Sequence, residues 1–204
     1  MEFFCGKTSV YIKKYDFPRF FEKPLQLSST FVFFITTRMM MAKHYLLKRG
    51  DILCATEQYI VHQCNAEPRP RPAAGLALEV FKRFPFSDVY RDPRPTDAPG
   101  TIRVFHEPRG IVCAFAQLRR GKPKGPDDTA KLRVAWFETC LFKIGEELSR
   151  ATIALPYGIG CNMAGGNWER DYEPAIERFA ACGKVSVAVY YLQSRTRLPS
   201  PPII

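Results

Sequence analysis

Reactive side chains are scarce in this 204-residue chain, histidine above all: there are three, His44, His62 and His106. A three-histidine metal centre is therefore not expected. The chain also lacks HExxH, a GxSxG elbow and a helix carrying paired carboxylates, so the chemistries tied to those motifs have no support. Cysteine is present seven times, but there is no CxxC, the count is odd and the spacing is wide. That argues against a disulfide framework and against the usual zinc spacings. Neither metal nor cofactor is expected. Long apolar runs are missing too. The best, Phe31-Val32-Phe33-Phe34-Ile35, ends at Thr36, Thr37 and Arg38, far short of the roughly eighteen residues a spanning helix needs. It lies behind Pro18 and Pro24, a poor position for a signal peptide. No membrane partner is expected. Cysteines set in apolar runs act as small hydrophobes, and the chain reads as reduced and intracellular, in cytoplasm or nucleus.

The composition is globular: 46% hydrophobic and 25% charged. The length suits one domain with modest extensions, large enough for a core without staples. Lys and Arg number 30 against 20 Asp and Glu, a formal charge of +10. The excess is uneven. Residues 1–45 carry net +4, residues 46–192 again net +4, and Arg195 and Arg197 supply the rest. A mildly basic body fits a small anionic ligand at least as well as a nucleic acid.

Residues 1–42 form an aromatic, basic arm without a clean period. Met39-Met40-Met41 precede the first orderly stretch, so residues 1–38 are either an appendage ahead of a second start or an ordinary arm. Residues 193–204 are a proline-rich tail. Between them strand and helix signals alternate. Residues 44–48, 59–64, 101–106, 111–117, 151–155 and 185–192 read as strands, and residues 73–84 and 168–182 as helices. A longer helix starts with Asp127 or Asp128 as cap and runs to about residue 149, its apolar face holding Leu132, Trp136, Cys140 and Ile144. Continuous apolar strands alternating with helices predict an α/β/α three-layer sandwich with a mixed central sheet.

In such sheets ligands sit beyond the carboxyl ends of the strands. Four features fall there. Gly50-Asp51-Ile52 offers a carboxylate beside a main-chain N–H, which suits an adenine edge and also suits a plain turn. His62-Gln63-Cys64-Asn65 ends a buried strand. Asn65 carries donor and acceptor for a ribose diol, whereas His62 shares its strand face with Cys64 and is either an acid–base group or a core histidine. Ala73-Ala74-Gly75-Leu76-Ala77 opens a helix whose N–H groups suit a phosphate, with Arg69 and Arg71 as cations nearby, or merely packs closely. Residues 156–167 are glycine-rich. They fail the dinucleotide fingerprint at Met163 and the P-loop at Gly166-Asn167, yet still imply backbone approach to an anion or an unusual turn. Arg119, Arg120, Lys122 and Lys124 form a charge run that reads as a solvated loop or a nucleic-acid contact.

Together these residues resemble the macro domain superfamily of ADP-ribose-binding modules. The resemblance covers residues 44–192, carried by Gly50-Asp51-Ile52, Val61-His62-Gln63-Cys64-Asn65, Gly75-Leu76-Ala77 ahead of Phe84-Pro85, and Pro156-Tyr157-Gly158-Ile159-Gly160-Cys161. The His-x-x-Asn strand end and the second loop look like the branch of ADP-ribose-1''-phosphate phosphatases and ADP-ribosyl-glutamate hydrolases. The resemblance implies that Asp51 and the Ile52 amide hold adenine and that Asn65 sits at the distal ribose. It implies that Gly75, Leu76 and Ala77 contact the diphosphate, that Gly158, Ile159, Gly160 and Cys161 form a second phosphate loop, and that Tyr190 or Tyr191 stacks on adenine. ADP-ribose or an ADP-ribosylated protein is then the expected partner of a monomeric domain. Two functions follow: hydrolysis of a 1''-phosphate or ADP-ribosyl ester by oriented water with His62 and Asn65 and no metal, or reading without turnover. Nucleic-acid binding is the remaining alternative. Three departures bear on the choice. Ala73-Ala74-Gly75 stands where relatives carry Gly-x-Gly, Leu118-Arg119 stands where the glutamate hydrolases carry lysine, and Ala164 stands where they carry an acid.

Overall fold

The computed structural model describes residues 43–68, 70–92 and 97–192. The expected arm 1–42, the tail 193–204 and Arg69 lie outside the described residues. Among the described residues six strands form: β1 (Leu46–Arg49), β2 (Tyr59–Asn65), β3 (Ile102–Phe105), β4 (Gly110–Gln117), β5 (Thr152–Pro156) and β6 (Ser186–Tyr191). Three α-helices accompany them among the described residues: α1 (Gly75–Arg83), α2 (Ala130–Glu147) and α3 (Glu173–Ala181). The strands join one sheet in the order β1-β6-β5-β2-β4-β3. β3 runs antiparallel to β4, and every other neighbouring pair is parallel. The sheet is mixed, as expected, because the short turn after β3 returns the chain directly beside itself while the other connections cross over.

The two-residue period of the strands divides the core. Val61 of β2, Val112, Ala114 and Ala116 of β4, Ile153 and Leu155 of β5 and Val187 and Val189 of β6 pack with Phe137, Cys140, Leu141 and Ile144 of α2 and Ile176 and Phe179 of α3. Ile60 and Cys64 of β2 and Ile111, Cys113 and Phe115 of β4 pack with Ala77, Val80 and Phe81 of α1. Helices therefore cover both faces, and β4 is buried along its whole length. Burial of that kind is worth about 1.5–3 kcal/mol for each large side chain.

α2 departs from expectation at its start and its face. Its N-cap is Thr129, whose hydroxyl accepts from Leu132 N–H at 3.2 Å, not Asp127 or Asp128. Its buried face is Arg133, Phe137, Cys140, Leu141 and Ile144, while Leu132 and Trp136 are half-buried. The expected helix from residue 168 begins instead with a π-helical turn, Trp168–Tyr172, before α3. That wide turn lets the Tyr172 ring reach under the glycine-rich loop, against Phe137 at 5.0 Å.

Candidate functional site

A cleft of about 600 Å³ opens over the carboxyl ends of β2, β4 and β5. One wall is the start of α1, the other the glycine-rich loop after β5, and the floor holds Gln63, Asn65 and Gln117. α1 begins with no side-chain cap on Ala74. The first N–H groups of a helix have no intrahelical partner, so those of Gly75, Leu76 and Ala77 remain for a ligand at the positive helix end. Gly75 has φ +58, and a Cβ there would meet the Met163 sulfur at 3.3 Å. The two walls thus approach each other at Gly75 and Met163.

The glycines opposite serve two purposes. A Cβ on Gly160 or Gly166 would lie 2.2 or 2.4 Å from the Tyr172 ring, so close packing of that tyrosine requires both. At Gly158 a Cβ would meet nothing, but φ is +73; here glycine serves the backbone path itself. Cys161 lines the cleft, and burial followed by the charge of Asp171 pushes its thiol up to about 11. It is a neutral thiol at physiological pH and no nucleophile.

The floor is set by hydrogen bonds among Asn65, Tyr90, Arg71, Gln63 and Gln117. Tyr90 hydroxyl accepts from the Asn65 backbone N–H at 3.0 Å and from its Nδ2 at 3.1 Å. Arg71 lies over the Tyr90 ring at 3.9 Å and donates to the carbonyls of Asn65 and Glu67. Gln63 Nε2 donates to Gln117 Oε1 at 2.6 Å, leaving Gln63 Oε1 buried without a partner. Arg120 and Lys124 stand at the rim. Arg120 lies 3.5 Å from the Glu67 carboxylate, and Arg119 is held by Asp127 through bonds of 2.9 and 2.7 Å. So the charge run is neither a uniformly solvated face nor a single contact surface.

Behind the rim lies the pair that shapes it. Asp128 and Arg133 are almost fully buried and joined by two bonds of 2.7 and 2.6 Å. The remaining guanidinium N–H groups donate to the carbonyls of Gly121, Arg119 and Ala164 at 2.6, 3.0 and 3.0 Å. One cation thus ties the basic loop to the glycine-rich loop. A buried charge needs this full set of partners.

No family model matches the chain, and no curated protein sequence does. Solved structures do. The macrodomain of Mycobacterium tuberculosis DarG aligns over 72% of this chain and 97% of its own, at 20% identity and TM-score 0.57. That of Thermus aquaticus DarG gives 72%, 97%, 24% and 0.55. Thermosipho africanus DarTG, a complex with ADP-ribose, aligns over 76% of this chain and 43% of its own, at 18% identity and TM-score 0.54. The fold is that of a macrodomain.

Within this macrodomain fold the expected site residues separate into three groups. Asn65, Gly75, Leu76, Ala77, Gly158, Ile159, Gly160 and Cys161 all line the cleft. Asp51, Ile52 and Tyr190 lie at a second place. Asp51 is exposed and its Oδ1 accepts from Leu53 N–H at 2.9 Å. Ile52 is buried against the α1 side of the sheet. Tyr190 hydroxyl donates to Glu57 at 2.8 Å. This end adjoins the cleft, because Tyr157 lines the cleft and donates its N–H to the Tyr190 carbonyl at 2.7 Å. His62 stands apart. It is fully buried under α1, edge-on to Phe81 at 5.2 Å, and does not line the cleft. The core-histidine alternative describes its position, and its expected acid–base role has no route to a ligand. Sequence reasoning missed Gln63, Gln117, Tyr90 and the Asp128–Arg133 pair. The visible signals were two glutamines in otherwise apolar strands and an arginine in phase with Phe137, Cys140 and Ile144.

Proposed function

We propose that this protein binds ADP-ribose or an ADP-ribose-bearing ligand in the cleft and reads it without turnover. The observation that carries the reading is the lining of the cleft. It pairs uncapped N–H groups at α1 with a glycine-rich loop and a basic rim, and among the described residues that line it there is no aspartate, glutamate or histidine. The first three features suit a diphosphate; the last leaves hydrolysis without a general acid or base at neutral pH. The complex of the Thermosipho africanus neighbour with ADP-ribose supports the ligand class. In this reading the diphosphate lies between Gly75-Leu76-Ala77 and residues 158–161, the distal ribose faces Asn65, and adenine extends toward Asp51, Ile52 and Tyr190.

The test has two arms. ADP-ribose should raise the melting temperature of the full chain more than ADP does, since a ligand that binds only the folded state stabilises it in proportion to RT ln(1 + [L]/Kd). Incubation with ADP-ribose 1''-phosphate and with an ADP-ribosyl-glutamate peptide should release neither phosphate nor ADP-ribose above the buffer rate. Catalytic release of either product would replace the reader with the hydrolase. An absence of any thermal shift by ADP-ribose would remove both.

A further inference from the structure

His62, Cys64 and Cys113 lie in the core between β2, β4 and α1, and the cleft does not use them. Among the described residues they are the one group of three metal-ligating side chains whose donor atoms all fall within 4.8 Å of one another. Cys113 Sγ is 3.3 Å from His62 Nε2, and Cys64 Sγ is 3.8 Å from His62 Nδ1. All three side chains are essentially unexposed. The neighbouring cation, Arg103, faces Cys113 in register and is paired with Asp97 and Asp92.

A disulfide does not explain the cluster. His62 pairs with Cys113 and Cys64 with Phe115 in the parallel ladder, so the two cysteines sit two residues out of register. Strand geometry then separates their Cα atoms by roughly 8 Å, beyond the reach of about 7 Å that a disulfide allows. A shared ion does fit the spacing. Zinc holds sulfur at about 2.3 Å and imidazole nitrogen at about 2.0 Å, which sets donor atoms about 3.5–3.8 Å apart. The two sulfurs approach different nitrogens of His62, and with one nitrogen as donor the three donor atoms lie within 4.8 Å of one another, so closing on one ion takes shifts of up to about 1.3 Å.

We infer that His62, Cys64 and Cys113 form a structural binding site for a thiophilic closed-shell metal ion, zinc or copper(I). Two sulfurs and one imidazole are soft donors that both ions take; they complete a three-coordinate copper(I) site, whereas zinc requires a fourth donor. Zinc entering the site displaces one proton from each thiol to solvent and leaves the core without net charge. Copper(I) does the same by displacing one proton, and it accepts three donors without a fourth. Because the site is closed, the ion enters as the chain folds. The site does not depend on what occupies the cleft.

The test is metal analysis of the full chain purified without chelators from cells grown with added zinc, copper or cobalt. The expected result is about one zinc or one copper per folded chain, retained by Cys182→Ser, whose thiol is exposed, and reduced to below about a tenth in Cys64→Ser and Cys113→Ser. Which metal is retained identifies the ion. Should the two serine variants fail to fold, the cobalt-grown wild-type protein decides, because a thiolate-bound cobalt ion gives near-ultraviolet charge-transfer absorption. Folded wild-type protein without stoichiometric metal from any of the three cultures overturns the inference. So does equal retention by Cys64→Ser and Cys182→Ser, or a cobalt form without the thiolate band.

Discussion

Gly75 concentrates the chemistry of the cleft in one residue. Its φ of +58 is a conformation that β-branched side chains resist, and its Cβ position already faces Met163. Gly75→Val should therefore cost about 1–3 kcal/mol of stability, and it should weaken ADP-ribose binding more than tenfold by shifting the α1 start. Chemical denaturation and calorimetry on the same preparation separate the two effects. Binding unchanged in a folded Gly75→Val protein would place the ligand elsewhere. Asn65→Ala removes a side chain held by Tyr90 and should weaken binding by about 1 kcal/mol, or fivefold. At this scale the sequence was legible wherever a residue type has few uses: Gly75 and Asn65 stand at the cleft, as their positions at element ends suggested. It was least legible for His62, since strand parity gave its face without saying which face the cleft would share.

The Asp128–Arg133 pair ties the basic loop to the glycine-rich loop through the carbonyls of Arg119, Gly121 and Ala164. Removing one partner strands the other as a buried charge, so Arg133→Met should lose about 3–5 kcal/mol of unfolding free energy. Replacing both, as Asp128→Leu with Arg133→Met, should recover part of that loss in urea denaturation. Equal destabilisation in the single and double variants would mean that the three loop carbonyls, not the ion pair, carry the cost. A second element-scale effect concerns Glu57, which is buried and accepts from Lys48 at 2.6 Å and from Tyr190 at 2.8 Å. Burial by itself would raise its carboxyl, but Lys48 and Tyr190 outweigh burial and hold it below its ordinary 4.5. Its contribution to stability is complete above pH 4.5 and is lost as pH falls through the lower, folded-state value. Wild type and Glu57→Gln should thus differ most in melting temperature near neutral pH and converge in acid. The strands and helices were readable because apolar runs and turns mark them directly. The face of α2 was misread because Arg133 sits inside its apolar stripe, and a buried ion pair has no local sequence signature.

Across the whole molecule the net charge of +10 invites a nucleic-acid reading. In the described domain Arg119, Arg103 and Arg133 are engaged by carboxylates, and the salt dependence of binding tests the nucleic-acid alternative. Binding of ADP-ribose should change by less than about tenfold between 50 and 200 mM salt, whereas a ligand neutralising many nucleic-acid phosphates would lose about a thousandfold or more. The three-layer architecture was legible in the alternation of apolar strands and helices, and the order of motifs carried the macrodomain resemblance across weak identity. The cysteine cluster was not legible, because Cys64 and Cys113 meet only through the pairing of β2 with β4. The most direct measurement is calorimetric titration of ADP-ribose into the full chain, with Gly75→Val alongside. One site per chain, with a dissociation constant on the order of 1–10 μM or about −7 to −8 kcal/mol, lost in the variant, is the expected result. No heat at millimolar ADP-ribose, or equal binding by the variant, would contradict it.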